Sequence, residues 1–165
     1  MKALNIHNRL LKLLFVTTIL FFFVHFSFAQ VSITNTQTLH FGTICLTGSG
    51  GTVTVGSDGS RTSTGNLILL SLSPVAQPAI FEIMNCPGGS VSLTFNATTI
   101  LTGSNGGELT LDLGPTEKGI SGSVFTTISD CNFVTPVYMG GSLHIPDAAI
   151  AGTYTGSFDV TINME

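Results

Sequence analysis

The feature that most limits this chain is a two-residue rhythm of apolar and polar side chains. TVTV (52–55), SVSLTF (90–95) and ELTLDL (108–113) each put apolar residues on one side and Thr, Ser or acids on the other. Side chains along an extended strand point alternately to its two faces, so this rhythm marks strands with one buried face. The final run shows it at greatest length. Tyr154, Phe158, Val160, Ile162 and Met164 share one face with Gly156 in register, and Thr155, Ser157, Asp159, Thr161 and Asn163 share the other. It reads as one continuous strand. NLILLSL (66–72) is apolar on both faces for part of its length, which predicts a central strand. AIFEIM (79–84) and VTPVYMGGSLHI (134–145) are further strand candidates.

Turn chemistry separates these runs. Gly48 to Gly51, SDGS (57–60), NCPGG (85–89), GSNGG (103–107) and GPTEKG (114–119) supply residues that start turns or accept positive φ. Asp58-Gly59 and Asn105-Gly106 suit tight hairpins. Helical periodicity is confined to PDAAIAG (146–152), which predicts at most one short turn before the final strand. About eight to ten short strands with regular turns point to an all-β fold, an immunoglobulin-like antiparallel β-sandwich. Sheets of this number pack face to face over an alternating core.

The N-terminus has the order of an export signal. Lys2, Arg9 and Lys12 precede an almost wholly apolar stretch from Leu13 to Phe26, and Ser27-Phe28-Ala29 then offers small residues before Gln30. A membrane anchor is the rival reading, but a spanning helix needs about 20 apolar residues and this run is shorter. The expected division is a cleaved signal peptide, 1–29, and a single sandwich domain, 30–165. A mature chain of that size buries roughly two-thirds of its unfolded surface, enough for a real core.

After residue 29 the only strong cations are Arg61 and Lys118, against nine acids. Phosphate recognition needs clustered Lys and Arg, which excludes nucleic acid as a partner. Anionic lipid is excluded for the same reason. With no C-terminal apolar span and no lipid-accepting cysteine at the cleavage point, no membrane insertion is expected after signal cleavage. Three cysteines follow the leader: Cys45, Cys86 and Cys131. Export permits a disulfide, and Cys86 with Cys131 is the favoured pair because each sits in a turn-like segment. Three free thiols are the alternative.

Catalytic patterns are missing: there is no nucleophile elbow, phosphate loop or paired-His zinc motif. His40 and His144 lie on strand-like runs opposite their apolar neighbours, as surface histidines do. No cysteine or histidine stands in a metal-ligand spacing, so no metal and no cofactor are expected. Asn96-Ala97-Thr98 matches the glycosylation sequon, and Tyr138 and Tyr154 are the only tyrosines.

Four segments in order carry a resemblance. LHFGTI (39–44) leads into GGTVTVGSDGSRTSTGNLILL (50–70), then PVYMGGSLHI (136–145), then AGTYTGSFDVTIN (151–163). This arrangement resembles the bacterial domain-of-unknown-function 4402 family of secreted proteins over nearly the whole mature chain. The ending is also similar to that of chaperone–usher pilus subunits, with Gly152 and the Phe158–Val160–Ile162 alternation, although Met164 stands where those subunits have an aromatic residue. That similarity implies a final strand that pairs with a periplasmic chaperone, and a groove filled by a neighbour's N-terminal segment. VSITNTQTLHF (31–41) is the candidate donor, with Val31, Ile33, Leu39 and Phe41 on one face but Asn35 and Gln37 interrupting it. In that reading, removing residues 30–38 stops assembly and leaves the fold standing. The alternative is that the segment is the first strand of its own domain.

The expected function is therefore a secreted or cell-surface structural or adhesive protein, a fimbria-like subunit without catalytic activity, held by self-assembly or by other surface subunits. The alternative is a soluble binding module that uses loops at one end of the sandwich. Either places the protein outside the cytoplasm: periplasm, outer surface or medium. The residues expected to matter are architectural: Phe41, Gly42, Gly152, Tyr154, Phe158, Val160 and Ile162.

Overall fold

A computed structural model describes residues 30–165 and, before them, Phe15 alone. The expected signal peptide lies outside the described residues. Residues 30–165 form eleven strands and no helix. They are β1 (Gln30–Gln37), β2 (Thr43–Val55), β3 (Arg61–Leu70), β4 (Ala79–Cys86), β5 (Gly89–Phe95), β6 (Thr98–Gly103), β7 (Glu108–Thr116), β8 (Val124–Thr127), β9 (Thr135–Ile145), β10 (Tyr154–Thr155) and β11 (Val160–Met164). PDAAIAG makes a turn, with the Ala149 N–H donating to the Pro146 carbonyl at 3.2 Å.

All pairings between these strands are antiparallel, in two sheets. The larger has eight strands in the order β1-β4-β9-β7-β6-β10, with β2 joined to β9 and β3 to β2. The smaller is β11-β5-β8. The predicted all-β sandwich is what the chain forms.

β9 is the spine of the larger sheet. Its first half, Thr135–Met139, pairs with β4, and its second half, Gly141–Ile145, pairs with β2. On its other side it pairs with β7 from Gly141 to His144 and, past a register shift, at Met139. The change of partner falls at Gly140, where any side chain would run into the Val55 carbonyl. Glycine is what lets β2 and β4 share one flank of one strand.

The β2–β3 ribbon is folded double. Arg61 opens β3, yet its guanidinium donates to the Leu70 carbonyl at the strand's far end (3.1 Å) and to the Thr43 carbonyl at the start of β2 (2.8 Å). A straight ten-residue strand spans about 30 Å, far beyond an arginine's reach. The corner lies where the pairing shifts between Leu46 and Gly51, beside Gly50 (φ 80°) and Gly65 (φ 77°). Positive φ is cheap only for glycine. NLILLSL is therefore not a central strand: β3 pairs with β2 alone, and Ile68 and Leu72 are exposed. The doubled ribbon puts Leu67 and Leu69 against the core and turns Ile68 outward.

The final run also departs from expectation, because it is two strands in two sheets. Tyr154 and Thr155 pair with Gly103 and Thr102 of β6, and Val160–Met164 pairs with β5. Gly156–Asp159 carries the chain across, and Gly156 passes so close to Leu101 that a side chain there would collide with it. The side-chain phase survives the break. Tyr154, Phe158, Val160 and Ile162 all pack on the core, while Met164 is exposed.

The core sits between the layers. Ala79, Ile83, Val137 and Met139 are completely buried beneath the small sheet, which contributes Val91 and Leu93. Phe81 meets Phe158 edge-on at 6.4 Å, and the Asn85 amide on β4 donates to the Thr127 hydroxyl on β8 at 3.0 Å. β1 lies along β4 of its own chain from Gln30 to Gln37, and Val31 and Ile33 pack against the core. That is the placement of a first strand. Removing residues 30–38 would strip part of the core, contrary to the donor reading.

Candidate functional site

The small sheet covers only part of the larger one. Over the rest, the inner face is formed by Leu101 on β6, Leu109 and Leu111 on β7, and Leu143 and Ile145 on β9. Pairing places Leu101 beside Leu109 and Leu111 beside Leu143. The cover here is two separate stretches of chain. One is Thr38–Leu46, the connection into β2 and the folded half of the ribbon; the other is Ala149–Gly156 with Phe158. Between them runs a groove of about 1030 Å³.

Both walls include strand edges that are bonded on one side. Among the described residues, Thr43–Leu46 pairs with β3 and has no partner opposite, because β2 meets β9 only from Gly51 onward, and Tyr154–Thr155 pairs only with β6. The walls are pinned from outside. Arg61 clamps the ribbon, and burial pushes its guanidinium below its ordinary pKa without removing its charge at neutral pH. Its Nε is buried without a partner. On the opposite wall the Tyr154 hydroxyl donates to the Ile150 carbonyl at 2.6 Å, and the Asn105 amide to the Ala151 carbonyl at 2.8 Å. Among the described residues, no Asp, Glu, Lys or Arg lines the groove.

Several residues singled out from the sequence meet here. Phe41, Gly42, Gly152, Tyr154 and Phe158 all line the groove. Phe41 is buried, and Gly42 has φ 70° with the Arg61 guanidinium packed against it. Val160 and Ile162 lie apart from it, half-buried on β11. The structure joins Cys86 to Cys131, with Cα atoms 5.0 Å apart. Cys86 is the last residue of β4, opposite Gln30, so that half of the bridge sits on a ladder end rather than in a turn. Cys45 is an exposed free thiol. Asn96 is exposed between β5 and β6.

Sequence reasoning missed one polar cluster. His144 stands between Thr52 and Asp112, with Nδ1 3.1 Å from the threonine hydroxyl and Nε2 2.7 Å from the Asp112 carboxylate. A carboxylate only accepts, so Nε2 carries the proton toward Asp112. The three share an outward phase, since their neighbours Val53, Leu111 and Leu143 point inward. The His144 and Asp112 side chains are each 47% exposed, and pairs in such surroundings contribute about 0–1 kcal/mol. The cluster lies across the sheet from the groove and none of its members lines it. Among the described residues, no three His, Cys, Asp or Glu side chains gather to hold a metal ion. No helix among them is long and apolar enough to cross a membrane.

The family described as Domain of unknown function (DUF4402) matches residues 31–164, the sandwich from β1 through β11. The chain belongs to that family. No curated protein and no solved structure matches it. The DUF4402 match thus covers the groove, both its walls and the doubled ribbon together.

Proposed function

We propose that this DUF4402 chain is an exported, non-catalytic subunit of the cell surface, structural or adhesive in role, held in place by fimbria-like assembly with copies of itself or with other surface subunits. The observation that supports this most is its unguarded strand edges. Among the described residues β1 pairs with β4 alone and β11 with β5 alone, and QVSITNTQ and VTINM contain no charge and no proline. Proteins that stay monomeric normally blunt such edges with charges, proline or a covering loop. An open edge binds another extended chain through backbone ladder bonds, with alternate side chains giving fit. A periplasmic chaperone would protect these edges before assembly.

Light scattering and electron microscopy of the purified protein test this. Oligomers or filaments are expected, and Thr34→Lys, an exposed position on β1, should disperse them without changing the far-ultraviolet spectrum. A monomer at every concentration refutes the proposal.

A further inference from the structure

We infer that the groove is a receptor for an extended, uncharged polypeptide strand from another molecule, with large apolar side chains at alternate positions. The floor supports this first. Leu109 with Leu111, and Leu143 with Ile145, are two residues apart on neighbouring strands. They form two apolar rows about 6.7 Å apart. The in-facing side chains of a strand lying nearly aligned with the floor have that same spacing, and aligned packing is the usual geometry between sandwich layers.

The walls say what kind of chain fits. Thr43–Leu46 and Tyr154–Thr155 are each hydrogen-bonded on one side only, and Gly156–Asp159 belongs to no ladder. An inserted strand can bond to such edges. An acyl chain covers the same leucines but gives the backbone groups nothing, and burying an unbonded amide costs about 1–3 kcal/mol. The charge balance also selects. With no Asp, Glu, Lys or Arg among the described residues of the lining, a charged side chain entering the groove would lose its water and find no counter-charge there. A neutral strand is the electrostatic match. The volume of about 1030 Å³ lies just above the ligand-site range of about 300–1,000 Å³.

This goes beyond assembly through β1 and β11, because neither strand lines the groove. Each idea can fail without the other.

The test uses the purified protein and a fluorescein-labelled decapeptide that alternates valine and threonine. Its comparators are a decapeptide of the same composition with the valines grouped, one with two threonines replaced by proline, and a fluorescent long-chain fatty acid. The alternating peptide should bind saturably, about tenfold or more tighter than either altered peptide. It should slow amide exchange at residues 43–46 and 154–156. Ile150→Asp on the rim, where Ile150 is already 47% exposed, should weaken binding about tenfold and leave the melting curve in place. Ile68→Asp, exposed and outside the groove, should change nothing. The inference is overturned if the proline peptide binds equally well, if protection appears on β1 or β11 instead, if no peptide saturates, or if the fatty acid binds and the peptide cannot displace it.

Discussion

The two halves of β9 sit under different roofs. Over Thr135–Met139 the cover is a hydrogen-bonded sheet, and Ala79, Ile83, Val137 and Met139 reach 0% exposure. Over Gly141–Ile145 the cover is a bent ribbon and a connecting segment, and the floor leucines and Ile145 keep 3–9%. The same alternating pattern builds both floors. What differs is whether the covering strands bond to each other or stop short, and the second outcome leaves a groove.

That contrast can be broken experimentally. The largest effect should come from the closed half. The Cys86–Cys131 bridge spans 45 residues, and in the chain-entropy treatment such a loop contributes about 4 kcal/mol. Replacing both cysteines by serine should lower the urea midpoint accordingly while the groove still binds peptide. Next, Ile83→Ala should cost about 3–4 kcal/mol, because a sealed site keeps its cavity. Leu111→Ala on the groove floor should cost nearer 2 kcal/mol, because the lost volume merges with space already open. Equal costs would mean that the two roofs are equally tight.

Of similar size, Arg61→Met should cost about 2 kcal/mol through two lost charge-assisted bonds. It should also speed amide exchange at 43–46 and 67–70 before the rest of the sheet. Uniform acceleration would show that the ribbon is not a separate unit. The smallest effect lies at the Gly56–Ser60 turn. Hydrogen bonds from the Ser60 hydroxyl and amide hold the Asp58 carboxyl below its ordinary value. Its contribution is complete above that ordinary value and is lost as the pH falls through the lowered one. Asp58→Asn should remove this contribution, lowering stability slightly at neutral pH, leaving it almost unchanged at low pH and so flattening the acid-side profile.

Much of the fold was legible in the sequence because alternation is local. Val53 and Val55, Val91 and Leu93, and Leu109, Leu111 and Leu113 all face inward as the rhythm requires. Partner choice is not local, and there the reading slipped. The final run keeps its phase across Gly156–Asp159, so nothing in it announces a change of sheet. NLILLSL has the two apolar faces of a central strand, yet its second face is turned out by a corner that lies in Gly50 and Gly65. Phe41, Gly42, Gly152, Tyr154 and Phe158 were singled out as architectural, and their meeting around one groove depends on folds that no single segment encodes. The same holds for Thr52, His144 and Asp112, which come from three different strands.

The partner change at Gly140 also sets a timetable. β4, β2 and β7 all lean on β9, which comes 30 residues from the end of the chain. A nascent polypeptide threading N-terminus first has completed most of its other strands before this one appears. Until then the hairpins behind it have nothing to join them. The larger sheet can therefore close only once β9 has been made, and until then its greasy half-built pieces have no central strand to join.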